Sequence, residues 1–157
     1  LPSGFFLALE GNYARGAASY AGLNDGLGYA PNALNDSIDN DVIDASSTLL
    51  GDTHLSTVWS VTGDLGYNFT PSLTGHLVAS YASYEMSNAV DHAFADFDTW
   101  AVSANLTYTI VKGLTIAAEV SYERRDYDSG DLPAFTPAFH NPDYDVFAGG
   151  IRLKRSF

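Results

Sequence analysis

Hydrophobic and polar residues alternate along most of the chain. From Trp100 to Ile110 every second residue is apolar, while small or polar residues fill the positions between. Leu114–Tyr122 and Trp59–Phe69 follow a similar pattern. A period of two is typical of β-strands that have one apolar and one polar face. The pattern predicts six strands, at residues 5–15, 57–69, 73–84, 99–110, 114–125 and 145–157.

The connections between these strands alternate between short and long. Residues 70–72 and 112–113 are tight turns, rich in the residues that set turn dihedral angles. The other connections are long and acidic, and the longest covers residues 17–56. We therefore expect an up-and-down order of strands, with turns at one edge of the sheet and loops at the other.

Two architectures use such strands in opposite ways. A soluble sandwich or lipocalin-like barrel buries the apolar face, whereas a transmembrane barrel turns it toward lipid and keeps the polar face around a wet interior. The strands run about 10 to 13 residues, enough to cross a ~25 Å apolar band when tilted. The sequence therefore predicts an all-β, antiparallel, up-and-down transmembrane β-barrel.

Aromatic residues gather toward both ends of the apolar face. Amphipathic rings settle at the headgroup level of a bilayer, so two rows of them would form interfacial girdles. The predicted girdle residues are Phe5, Tyr13, Trp59, Tyr67, Phe69, Tyr81, Trp100, Tyr108, Tyr122 and Phe157.

The polar face carries ionisable residues. A dry core would have to neutralise or pair them at a cost of several kcal/mol each, whereas a water-filled lumen would not. The pore-lining candidates are Glu10, Asp64, His76, Glu119, Glu123, Arg125, Arg152 and Lys154. For each of them, the alternative is that the charged group is only hydrated by water in the lumen, or pairs with a neighbouring charge, and has no role in selectivity.

Composition narrows the possible functions. The 157 residues carry a net charge of -12, with no basic patch to neutralise nucleic-acid phosphates. The absence of cysteine excludes disulfide scaffolds, thiolate zinc sites and cysteine nucleophiles. The mean hydropathy of -0.04 is that of a soluble globule, but alternation explains it as the average of a lipid face and a water face.

Several segments resemble, in order, the porins of alpha-proteobacteria. Residues 6–17 are similar to an interior strand, residues 59–81 to the following hairpin, residues 112–122 to the penultimate strand, and residues 152–157 to a last strand ending in phenylalanine. The resemblance implies a passive general-diffusion channel in the outer membrane, a homotrimer among lipids and lipopolysaccharide, with no cofactor. It also implies that Arg125, Arg152 and Lys154 belong to the basic side of the pore wall.

The same resemblance bears on the length of the chain. Family porins are 16-stranded barrels of roughly twice this length, and six strands cannot close a water-filled pore by themselves. We therefore expect residues 1–157 to be the C-terminal part of one barrel domain, completed by N-terminal strands. The alternative is a small closed outer-membrane barrel, either an adhesin or structural protein or a lipid A-modifying enzyme, in which residues 23–51 supply two more strands. A soluble lipocalin-like binding protein is the third possibility.

Two further patterns are weak. Asp36, Asp39, Asp41 and Asp44 form an acidic run whose spacing fits no EF-hand, so we expect a solvated loop, or one bridged to lipopolysaccharide by divalent cations, instead of a metal site.

Asp52, His54 and Ser56 lie close together in sequence, but this spacing does not define a catalytic triad. We predict no catalytic residues and no enzyme activity.

Two arginines on the apolar parity, Arg124 and Arg155, are expected to reach toward lipid headgroups.

Overall fold

Residues 4–21, 23, 44–47, 51–85, 96–128 and 143–156 are described by the computed structural model of the chain. Within these residues the fold is almost entirely β-structure, with one short 3₁₀ helix (Ala18–Ala21). The strands are β1 (Phe5–Arg15), β2 (Ala45–Ser47), β3 (Thr53–Leu55), β4 (Thr57–Thr70), β5 (Leu73–Glu85), β6 (Asp96–Val111), β7 (Leu114–Asp128) and β8 (Tyr144–Arg155). No helix among the described residues is long and apolar enough to cross a bilayer.

Six long strands form a single antiparallel sheet in the order β1-β4-β5-β6-β7-β8. Each long strand pairs with the next long strand along the chain, and the predicted all-β antiparallel meander is therefore confirmed. Among the described residues, β1 and β8 pair on one side only and form the two edges of the sheet. The ends of these strands lie within three residues of the predicted limits.

The structure shows local order within residues 17–56, which were predicted to form one long loop. Directly after β1 the chain makes the 3₁₀ helix, and further on β2 and β3 pair as a small antiparallel hairpin. Their short lengths explain why a period of two, which needs several repeats to be visible, did not reveal them.

The turn between β6 and β7 requires glycine for two reasons. Gly113 has a φ of +82°, which L-residues with a side chain rarely adopt. A Cβ at this position would also lie 2.5 Å from the carbonyl oxygen of Ser156, whose own N–H donates to the Gly113 carbonyl at 2.7 Å. The turn therefore also holds the end of β8.

Register gives the long strands two faces of different character, and on the central strands β4 and β6 the apolar face is the more exposed one. On β4, Trp59 is 44% exposed while the adjacent Ser60 is 7% exposed. On β6, Trp100 is 38% exposed and Thr99 only 8%. We call the face with the tryptophans the outer face and the face with Ser60 and Thr99 the inner face. The distribution is the reverse of a soluble sheet, which hides its apolar side.

Candidate functional site

Nine of the ten predicted girdle residues lie on the outer face, in two rows, and Phe157 lies outside the described residues. At the turn edge the ring centroids of Phe5 and Tyr67 are 4.3 Å apart. At the loop edge the rings of Trp59 and Tyr81 lie at 5.3 Å, and those of Trp100 and Tyr122 at 5.2 Å. These contacts join neighbouring strands, so each row is an aromatic band made of adjoining ring pairs and single rings.

The turn-edge half of the inner face is polar and partly open. Both carboxylate oxygens of Asp64 lie 3.0 Å from Nδ1 of His76 on the adjacent strand, and both side chains are about a quarter exposed. The ring of Phe6 lies edge-on to His76 at 4.9 Å and occupies the space above Gly66, where a Cβ would overlap it. Because Gly66 has no side chain, the Phe6 ring can lie beside the Asp64–His76 pair.

The other predicted pore-lining residues share this inner parity, but the structure does not gather them in one place. Glu10 on β1 accepts a hydrogen bond from the Asn12 amide at 3.0 Å. Arg152 and Lys154 are exposed on β8, at the opposite edge of the sheet, and Glu119 is exposed on the neighbouring β7. The inner face of β1 and β4 therefore carries only acidic groups, the inner face of β8 only basic groups, and β7 carries both.

The loop-edge half of the inner face is dry. One row of inward positions runs from strand to strand in register, and every member is apolar or aromatic: Ala14, Val58, Tyr84, Phe97 and Tyr127. Val58, Tyr84 and Phe97 are at most 2% exposed, and the rings of Tyr84 and Phe97 stack at 4.9 Å. The 3₁₀ helix packs against the β1–β4 end of this row, and Ala18, Ala21 and Leu23 are buried in the same cluster.

Arg125 lies next to this dry row. It is 5% exposed, with its guanidinium 4.4 Å from the centroid of the Phe97 ring and Nη2 3.7 Å from Oε1 of Glu123. Thr99 also donates a hydrogen bond to that Glu123 oxygen at 3.3 Å. The structure therefore brings two predicted pore-lining residues, Glu123 and Arg125, together, and places the arginine in a packed position instead of on an open part of the wall.

The sequence matches the porin subfamily over residues 2–146. The chain belongs to the porin subfamily. Neither a curated protein nor a solved structure matches it. Membership implies a bacterial outer-membrane location and a channel that performs no chemical reaction, in agreement with the exposed apolar face and the aromatic bands described above.

Arg124 of this porin lies on the outer face, as its parity predicts, but carboxylates already surround it. Its Nε is 2.6 Å from Asp126, and its terminal nitrogens are 3.8 Å from Asp143 and Asp145. Tyr122 donates a hydrogen bond to the same Asp145 at 3.0 Å. The guanidinium thus ties the loop-edge ends of β7 and β8 together, a role that competes with the predicted reach toward lipid phosphates.

The residues of the weak metal and catalytic patterns have structural roles, where the structure describes them. Asp36, Asp39 and Asp41 lie outside the described residues; Asp44 accepts a hydrogen bond from the Ala18 N–H at 2.7 Å. No group of three or more metal-ligating side chains occurs within the described residues. His54 is exposed, whereas Ser56 is buried and accepts a hydrogen bond from the Tyr84 hydroxyl at 3.2 Å. That arrangement withdraws the serine hydroxyl from solvent.

Strict alternation did not predict the dry row of the inner face, although the sequence contains a sign of it. Four apolar or aromatic residues occupy positions that alternation assigns to the polar face, each close to a long connection: Val58, Tyr84, Phe97 and Tyr127. Apolar residues of the wrong parity at the loop edge indicate that something covers the wall there. The covering segment itself has no comparable pattern, because a single 3₁₀ turn is too short to be periodic.

Proposed function

We propose that the chain forms part of the wall of a passive, water-filled channel for small hydrophilic solutes and ions. The observation that carries this proposal is the reversed polarity of the sheet. A continuous apolar surface faces outward between two aromatic bands, and serine, threonine and ionisable residues face inward. Lipid covers the first surface without cost, and water solvates the second.

Selectivity in such a channel arises from pore width and from the charges along its wall. We assign the wall charges to the inner-face residues Glu10, Asp64, His76, Glu119, Glu123, Arg152 and Lys154, with Arg125 packed against the wall behind Glu123. The separation of acidic groups near β1 from basic groups on β8 would set an electric field across the lumen. No cofactor and no conformational cycle are needed for diffusion of this kind.

The six long strands would be the C-terminal strands of a 16-stranded barrel, and the protein would assemble as a homotrimer surrounded by lipid and lipopolysaccharide. The two edges of the described sheet support this assignment, because β1 and β8 each present a row of backbone groups on one side. Such edges are unfavourable in a bilayer unless further strands pair with them and close the barrel.

Reconstitution of the full-length protein in planar bilayers tests the proposal. We expect stepwise current increments of uniform size and a linear current–voltage relation at low voltage. Replacing Arg152 and Lys154 together by glutamine should shift the reversal potential in a salt gradient toward cation preference. Arg155→Gln is the matched control, because this arginine is on the same strand but on the outer face. A folded, inserted protein that carries no current would rule out the channel.

A further inference from the structure

The segment that follows β1 turns inward, against the wall, instead of continuing away from the membrane. Gly16 makes the change of direction with a φ of +70°, and its Cβ would lie 2.9 Å from the Leu55 side chain. The 3₁₀ helix (Ala18–Ala21) begins two residues later. Because the residues it covers all have inner parity, this helix stands within the cross-section of the lumen.

Hydrogen bonds fix the base of the inturned segment. The N–H of Gly16 donates to the carbonyl of Ser56 at 2.8 Å, and the N–H of Ser56 donates to the carbonyl of Asp44 at 3.0 Å. The carboxylate of Asp44 then accepts from the N–H of Ala18 at 2.7 Å, which satisfies a free donor at the start of the helix. Both described ends of the long connection are therefore held against the first residues of β4.

Side-chain packing fixes the face of the helix that meets the wall. Residues three apart share a face in a 3₁₀ helix, and Ala18 and Ala21 are both at most 3% exposed. Together with Leu23 they pack on Val58 and the adjoining aromatic rings. Two small alanines permit close approach, and burial of the Leu23 side chain stabilises the contact.

The opposite face of the helix points away from the wall. Ser19 and Tyr20 are exposed there, and Tyr20, at 81%, is among the most exposed large side chains of the described residues. An exposed tyrosine on the outer face would be an interfacial anchor, but this one is held on the inner side. Since a helical turn with its side chains is about 10 Å across, the segment projects by about that distance from the inner face at this level.

We propose that the 3₁₀ helix and its seat on the inner face form a fixed shoulder that narrows the channel at its loop edge, with Ser19 and Tyr20 as the side chains that incoming solutes meet. The inference rests on the proposed channel function and adds to it a size-determining element in this part of the wall. The contribution of the shoulder is steric: Tyr20 limits which solutes pass, while the charges deeper in the lumen select among those that enter.

Cysteine labelling tests the shoulder directly, because the chain has no cysteine of its own. Single variants Ser19→Cys and Tyr20→Cys of the full-length protein are reconstituted in planar bilayers and treated with water-soluble methanethiosulfonates of increasing bulk. We expect each variant to lose single-channel conductance on labelling, with a loss that grows with reagent size. Tyr13→Cys is the matched control: this tyrosine is 71% exposed and only seven residues away, but on the outer face of β1. Its labelling should leave conductance unchanged.

A second measurement uses solute size. The assay is liposome swelling with neutral sugars of increasing mass, and the measured quantity is the permeation rate of the largest sugar that still enters. Tyr20→Ala should raise this rate and Tyr20→Trp should lower it, while Tyr13→Ala should leave it unchanged. Circular dichroism and the heat-dependent shift on gel electrophoresis verify that each variant is folded.

The two proposals fail in different ways. If unmodified protein carries no current, the channel proposal fails before any label is added. If the unmodified protein conducts but labelled Ser19→Cys and Tyr20→Cys conduct as before, the helix lies outside the permeation path and the shoulder proposal is wrong. A loss of conductance in the Tyr13→Cys control equal to that in Tyr20→Cys would also overturn it.

Discussion

The inner face of the sheet is divided into two halves that share strands and parity but differ in environment. At the turn edge, Phe6 is 36% exposed and lies beside the partly open Asp64–His76 pair. At the loop edge, Phe97 is 2% exposed, stacks on the Tyr84 ring, and contacts the tilted Tyr127 ring and the Arg125 guanidinium. The difference comes from this cover by neighbouring side chains and, at the β1–β4 end, from the 3₁₀ helix.

This contrast shows that parity determines which face a residue joins but not whether water reaches it. A strand residue on the lumen side is wet by default, and becomes dry only where another segment packs over it. The same residue type should therefore contribute very different amounts to the free energy of unfolding in the two halves. Paired substitutions measure that difference.

The largest difference is expected between the two inner-face phenylalanines. Phe97→Ala removes a fully buried ring and should lower the free energy of unfolding by about 3–5 kcal/mol. Phe6→Ala removes a ring that is already partly in contact with water, and should cost about 1–2 kcal/mol. Urea unfolding in lipid vesicles, followed by tryptophan fluorescence, measures both. Equal costs would show that the loop-edge half is no drier than the turn-edge half.

Two arginines provide a smaller contrast. Arg125→Met removes a guanidinium that is packed on Phe97 and near Glu123, with an expected loss of roughly 2 kcal/mol of stability. Arg152→Met, at an exposed position of β8, should stay within about 0.5 kcal/mol of the unmodified protein. The same unfolding assay compares them, and a destabilisation by Arg152→Met as large as that by Arg125→Met would contradict the difference in burial.

The smallest effect on stability is expected in the turn-edge half, where the consequence should be electrical instead. Asp64→Asn keeps the size of the side chain but removes a lumen charge, and should cost less than ~1 kcal/mol. The reversal potential in a salt gradient should move toward anion preference. Asp145→Asn, on the outer face, removes the same charge outside the lumen and should leave the reversal potential unchanged. A shift of equal size in both variants would show that Asp64 does not face the permeation path.

Alternation predicted the regular part of this fold well, because strands of 11 residues or more repeat the period often enough to fix register and face. The positions of Trp59 and Trp100 on the outer face follow directly from it. The shoulder could not be predicted in this way. Its position depends on a hydrogen bond from Ala18 to Asp44 and on packing against Val58, contacts between residues far apart in sequence that no local pattern encodes.

The candidate site shows the same division. Inner parity could be assigned to all eight ionisable residues from sequence, but their partners could not. His76 meets Asp64 by a diagonal contact between strands, and Arg125 turns under Phe97 instead of toward open water. Such choices depend on space left by other side chains, such as the missing Cβ of Gly66 that admits the Phe6 ring.

If the apolar face meets lipid and the polar face meets water, two adjacent residues on β6 should lie in opposite environments. Ala104 is on the outer face, midway between Trp100 and Tyr108, and Ser103 is on the inner face. Each is replaced by cysteine, labelled with a small fluorophore and reconstituted in vesicles. We expect brominated lipid to quench the label at position 104 but not at 103, and iodide to quench the label at 103 but not at 104. The reverse pattern would show that the polar face meets lipid.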